Sequence, residues 1–238
     1  MTLALLFLAA CGICGALHVS TMALVGWLAG ATVEEVSIWT GATVIRFRYR
    51  GVMYRLGVLP LGGHARFKDR VDGEKSGNMD EILFAPGKAG PAFSDLHPLK
   101  RIVITASGCA ALIALGAFCL GPIPSVRSLG RGFLQLIPFA PWTPSWVPGG
   151  KELASRCVSL FQQGPFRVAL GVMAGKSAAA NLLPVPPLNG GMIVMFLVGW
   201  RKGLPDKVSK TVWYIGLTII LILMGYWVVQ FLRYLEFF

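Results

Sequence analysis

Four side chains near the N-terminus, Cys11, Cys14, His18 and Met22, carry metal-binding donor atoms inside an otherwise apolar run. On a helix of about 3.6 residues per turn they fall within about 80° of one another. Imidazole, thiol and thioether are soft or borderline donors, which makes copper(I) the metal they suit; the competing reading has Cys and Met packing as small polarizable hydrophobes. The second segment of interest is Asn181-Leu182-Leu183-Pro184-Val185-Pro186-Pro187-Leu188-Asn189-Gly190-Gly191. Its three prolines break a helix, because each removes a donor and clashes with the preceding turn. Broken backbone at membrane depth persists only where protein buries it or where it lines a wet cavity. Asn181, Pro184, Pro186, Pro187, Asn189 and Gly190 are therefore the candidate lining of such a cavity. Lys176, in the same apolar stretch, would line that cavity or reach its polar backbone.

The elements that must hold these groups are membrane spans. Of the 238 residues 55% are hydrophobic and 14% charged, well below the charge of an average soluble domain. The apolar residues cluster into four stretches, at about 2–28, 102–123, 166–200 (broken at Pro184–Pro187) and 211–232, each sufficient for a bilayer core. The chain thus reads as one all-α integral membrane domain, 1–238, with three core spans and a fourth. The net charge of +11 is concentrated between Arg46 and Lys100 and again at Arg201, Lys202, Lys207 and Lys210. The positive-inside rule then places 31–100 and 201–210 in the cytoplasm of a multi-pass inner-membrane protein, and 124–165 as an outward loop. Trp142 and Trp146 in that loop suit an interfacial belt. The basic excess is topology and contact with anionic headgroups, and nucleic acid is not an expected partner. Leu8-Ala9-Ala10-Cys11 resembles a lipoprotein cleavage site, but no basic n-region precedes it, so an uncleaved first span is expected.

Between the first two spans, Ile45, Phe47 and Tyr49 alternate with Arg46, Arg48 and Arg50. This period of two predicts a strand, and Met53–Val58 supplies its return, giving a small cytoplasmic-side hairpin over about 43–68. Such a hairpin rests at the interface with its arginines toward phosphates, since open sheet edges do not face lipid. Leu59-Pro60-Leu61-Gly62-Gly63 reads as a turn and 69–96 as a loop. His64 and His97 read as accessible interface residues, and the odd number of cysteines argues against a disulfide framework.

The proline-rich segment resembles the signature N-L-L-P-x-P-x-L-D-G-G of the site-2 protease family of intramembrane zinc metalloproteases. It matches at every fixed position but one, where Asn189 stands in place of Asp. Leu17-His18-Val19-Ser20-Thr21-Met22-Ala23-Leu24 is similar to the family's H-E-x-x-H motif followed by A-L. Leu59–Gly63 resembles its P-L-G-G loop. Pro98-Leu99-Lys100-Arg101-Ile102 and Ala106-Ser107-Gly108 resemble the entrance to its second core helix. In that family two His at i and i+4 bind zinc, the Glu between them is the general base, and the Asp completes the site. The resemblance implies that His18 keeps one ligand position, while Val19 replaces the base, Met22 the second His and Asn189 the Asp. A hydrogen bond with Asn181 or Asn189 would hold the remaining imidazole. No catalytic residue and no bound metal or other cofactor is then expected.

The implied function is that of a catalytically inactive homologue: a membrane scaffold, adaptor or complex subunit that holds a membrane segment or extended peptide, with the bilayer and a membrane protein as partners. The alternatives are an active metalloprotease with non-standard zinc ligands, and metal or small-solute handling through the proline-lined cavity.

Overall fold

The computed structural model describes residues 3–69, 92–136, 150–199 and 206–234. Most of the loop read over 69–96, the Trp142 and Trp146 belt, and the end of the third stretch at Trp200 lie outside them. The described chain is mostly helical with one small antiparallel sheet. It divides into two compact units, Cys11–Gly108 and a second made of Met1–Ala10 with Cys109–Phe238.

Helix α1, Leu3–Leu28, has no charged residue. It ends where Gly30 takes φ 92° and where the amides of Gly30 and Ala31 bond back to the carbonyls of Trp27 and Gly26. That pair of bonds is the glycine-terminated cap that satisfies the last carbonyls of a helix. Strand β1, Val33–Tyr49, follows directly, and β2 is Val52–Phe67. Between them Arg50 and Gly51 both have positive φ, 48° and 82°. Two such residues form the two-residue hairpin turn whose twist suits antiparallel strands.

The hairpin starts earlier than the sequence suggests, and its return strand is longer than Met53–Val58, ending at Phe67. Strand β1 begins at Val33 rather than near residue 43, and β2 runs through Leu59–Gly63, which reads as a turn. The glycines that signal a turn do take positive φ (Gly62 71°, Gly63 137°), yet pairing continues past them, with Ile38 opposite Gly63 and Ser37 opposite His64. They are bends within a strand. Because both strands bend, the first part of β1 meets both halves of β2: Val36 opposes Ala65 and also Tyr54.

Three α1 residues explain that bend. A Cβ on Gly12 would lie 3.1 Å from the Pro60 side chain, and one on Gly15 would lie 2.9 Å from the Gly62 carbonyl oxygen. Farther along the same face Val19 joins Ala23, Val36, Ile38, Tyr54 and Ala65 in an apolar cluster. Trp39 Nε1 donates to the Gly12 carbonyl at 3.1 Å. Glycine at 12 and 15 lets β2 lie against the helix backbone.

Helix α2, Pro98–Leu120, starts with proline in the first turn, where a missing amide hydrogen costs nothing. Its first turns pack Ile104 with Ala31 and Leu96 beside the stacked Phe67 and Phe93 rings, whose centroids are 5.1 Å apart.

In the other unit the 124–165 connection, read as an outward loop, carries two helices: α3, Pro122–Leu136, and α4, Gly150–Gln163. Proline density misleads here because Pro122 and Pro124 sit in the first turn of α3, where proline is tolerated. Helix α3 packs on α5, Phe166–Asn181, through small residues: Ser128 Oγ donates to the Val172 carbonyl at 3.2 Å beside Gly175. Phe161 of α4 is buried with Ala10 and Ala169, its ring edge-on to Phe7 at 5.7 Å.

Helix α5 stops at Asn181 and α6 is Asn189–Val198, so the third apolar stretch is broken at its prolines. Helix α7, Asp206–Tyr234, closes the described chain. Among the described residues three helices are long and apolar enough to cross a membrane: Leu3–Leu28, Pro98–Leu120 and, within α7, Lys207–Gly225. Leu24, Phe118, Leu221 and Ile222 stand exposed along them, apolar surface of the kind that lipid covers.

Gly191 tests the compact turn between α5 and α6, because a Cβ there would run into Val185 and Pro186. Gly191→Ala is expected to lower stability in detergent by about 1–3 kcal/mol, the cost of overpacking. Gly130→Ala in α3, with nothing within 4 Å of the added carbon, is expected to raise it by up to about 1 kcal/mol. Thermal unfolding followed by intrinsic fluorescence checks both.

Candidate metal centre

The face of α1 that packs against the sheet also carries the first candidate residues. His18 and Val19 are buried, at 8% and 2% exposure, and Met22 is half-buried. The imidazole lies against Gly108 of α2, where an added Cβ would come 2.6 Å from Nδ1 and 2.8 Å from the His18 carbonyl oxygen. The Ala-Ser-Gly entrance to α2 thus ends in a notch for the ring. Val19, at the general-base position, points into the apolar cluster beside Gly63, whose added Cβ would lie 3.0 Å from Val19 Cγ2.

The proline segment belongs to the other unit. After Asn181 the backbone makes a succession of tight turns: Leu182 N bonds to Ala178 O, Val185 N to Leu183 O and Leu188 N to Val185 O, at 2.9, 2.7 and 3.0 Å. The Pro186–Pro187 bond is cis. Added Cβ atoms at Gly190 and Gly216 would collide with the Leu182 and Pro186 carbonyls respectively. Pro186 and Gly190 are buried, Asn181, Pro187 and Asn189 half-buried, and Pro184 exposed.

Each asparagine has a partner within its own unit. Asn181 Nδ2 donates to the Ser177 carbonyl of its own helix at 2.9 Å, and Asn189 Nδ2 donates to Cys109 Sγ at 3.8 Å. Lys176 reaches Gln135 of α3 through its ammonium group, so its partner is a side-chain amide rather than the broken backbone.

Sequence reasoning missed two groups. Glu35 is a carboxylate only 6% exposed. Its oxygens meet Arg55 at 3.2 Å, Arg66 at 3.1 Å and His64 at 3.6 Å. Nothing in a lone Glu before a strand announces this; the signal lay in the register, which sets Glu35 opposite Arg66 and Ser37 opposite Arg55 and His64. The second group is Cys109, which directly follows the glycine that receives His18 and itself receives Asn189.

The donor set can be tested against the zinc that the signature implies. Zinc sites are built from thiolate, imidazole and carboxylate. Positions 18, 22 and 189 offer one imidazole, one thioether and one neutral carboxamide, the last donating its N–H to sulfur. Among the described residues no three His, Cys, Asp or Glu side chains gather as a metal-binding group. These residues do not fit zinc.

Comparison with known proteins points to a zinc enzyme family all the same. The model of peptidase family M50 matches residues 6–125, half of the 238-residue chain. A protein of Chlamydia trachomatis named "Putative zinc metalloprotease" is 31% identical over 115 residues, 48% of this chain and 18% of the relative. Similarly named proteins of Chlamydia pneumoniae and Campylobacter jejuni are 32% and 35% identical over 47% and 33% of this chain. The aligned regions span less than a fifth of those relatives, 18% and 19% of their lengths.

Restoring the motif residue by residue separates site from scaffold. Val19→Glu places a carboxylate in an apolar cluster and is expected to cost about 2 kcal/mol or more. Met22→His, at a half-buried position, is expected to cost about 1 kcal/mol or less. Chemical denaturation of the two variants in the same detergent measures the gap.

Proposed function

The chain belongs to peptidase family M50, the site-2 proteases, and from that premise we propose that it is a non-hydrolysing member that holds a membrane segment or extended peptide as a scaffold or subunit of a membrane complex. The observation that carries this reading is the valine at the base position, buried among Ala23, Val36 and Ile38. A proton acceptor is absent from that place in the motif, and its loss alone typically costs 10²–10⁴-fold in rate. A thioether and a carboxamide at the other ligand positions weaken the case for a hydrolytic metal further.

What the chain keeps is the framework for positioning a peptide. The Ile45–Tyr49 segment pairs with 52–56 on one side only among the described residues, and an open strand edge accepts an extended peptide by backbone hydrogen bonding. The proline segment, with Pro184 exposed, is separately proposed as a cavity lining. In membrane terms the proposal has α5 and α6 together making a fourth, broken passage, with 31–100 and 201–210 in the cytoplasm of an inner membrane. The basic residues between Arg46 and Lys100 support that orientation.

The test is metal content and hydrolysis measured on one preparation. The full chain, purified in detergent and supplied with zinc, is expected to hold well under one equivalent and to leave a helical transmembrane substrate uncut. His18→Ala is expected to change neither value. One equivalent of zinc that disappears, together with cleavage, in His18→Ala would overturn the proposal.

A further inference from the structure

We propose that the tip of the hairpin, residues 44–56, docks on the anionic headgroups of the bilayer. Register divides its side chains cleanly. Ile45 opposes Leu56, Phe47 opposes Tyr54 and Tyr49 opposes Val52 on one face, while Arg46 opposes Arg55 and Arg48 opposes Met53 on the other. Phe47 and Tyr54 stack at 5.2 Å with an interplanar angle of 12°. Ile45, Phe47 and Tyr49 are 51%, 55% and 57% exposed, a contiguous apolar row left open beside a cationic one.

The charge is unbalanced. Between Val36 and Lys68 the sequence has no Asp or Glu. The carboxylates just before it are engaged, Glu35 with Arg55 and Arg66, and Glu34 with Arg66. Arg46, Arg48 and Arg50 make no ion pair among the described residues. Arg46 Nε points to Met53 Sδ at 3.3 Å, and the Arg50 guanidinium lies over the Tyr49 ring at 5.4 Å.

Three constraints select the layer in which this tip rests. Water leaves the apolar row uncovered. The hydrocarbon core excludes it, because the outer edge of Ile45–Tyr49 would carry unsatisfied backbone groups there. The headgroup region accepts both faces, aromatic rings at the boundary and arginines snorkelling to phosphate. Nucleic acid would pair with the arginines but leave Ile45 and Phe47 wet. Proximity agrees: β1 starts at Val33, just after the membrane-length helix that ends at Leu28, and β1 and the Cys11–Leu28 part of that helix lie in the compact unit Cys11–Gly108. Three unpaired arginines bias the tip toward an anionic leaflet by on the order of 100-fold. This holds whether or not the chain cleaves peptides.

Hydroxyl-radical footprinting of the full chain in nanodiscs reads the tip directly, since Phe47, Tyr49, Met53 and Tyr54 are reactive reporters. With phosphatidylglycerol mixed into phosphatidylcholine, oxidation of that peptide is expected to fall about threefold or more relative to phosphatidylcholine alone. Roughly 0.5 M salt, which shortens electrostatic reach, and the combined R46E/R48E/R50E substitution are each expected to abolish the difference, with α2 peptides unchanged. R46K/R48K/R50K is expected to keep it. Equal oxidation in both disc types would overturn the proposal: equally high means a tip in water, and equally low means a tip covered by protein or buried without regard to headgroup charge.

Discussion

The central constraint in the Cys11–Gly108 unit is how closely a strand approaches a membrane-length helix. Gly12 and Gly15 clear a track along α1, Gly62 and Gly63 let β2 bend into it, and Gly108 lets α2 close over His18. At Gly12, Gly15, Gly63 and Gly108 backbone meets backbone or ring with little or no room for a side chain, whereas Gly62 is fixed by its positive φ. The P-L-G-G and Ala-Ser-Gly motifs are therefore packing motifs first. They fix the surroundings of positions 18 and 19 whether or not chemistry happens there.

That separation explains how the family's framework accompanies an altered donor set. A zinc site is a handful of side chains on a scaffold set by glycine clearances and turns, so the two are free to diverge. The scaffold here keeps the helix face, the strand against it and the proline-broken connection. At the base position and at the third ligand position stand groups that suit apolar surroundings: an isopropyl group inside a cluster and a carboxamide turned to a thiol. An anionic Glu at 19 would need its metal to be tolerable in that place; valine needs nothing.

Much of this was legible in the sequence. Uncharged length gave α1 and α2, strict alternation around Arg46–Arg50 gave the hairpin, and Asn181–Gly191 gave both the break and the family. The connection at 124–165 was not legible, because proline reads as a breaker although at a helix start it is compatible with the fold. The full length of β2 was hidden because positive-φ glycines mark turns and strand bends alike. Contacts distant in sequence were beyond reach altogether: nothing local links Gly108 to His18, Cys109 to Asn189, or Glu35 to two arginines 20 and more residues away.

Gly216 is an otherwise ordinary position in α7, yet an added carbon there would strike the carbonyl of Pro186. Proline contributes no N–H of its own, and the Pro186 carbonyl, an acceptor, lies outside both α5 and α6. Helix α7 therefore works as insulation, laying bare backbone over a stretch whose own dipoles are not paired within a helix. At Gly216 it is a fitted cover for the broken segment, shaped by what that segment lacks.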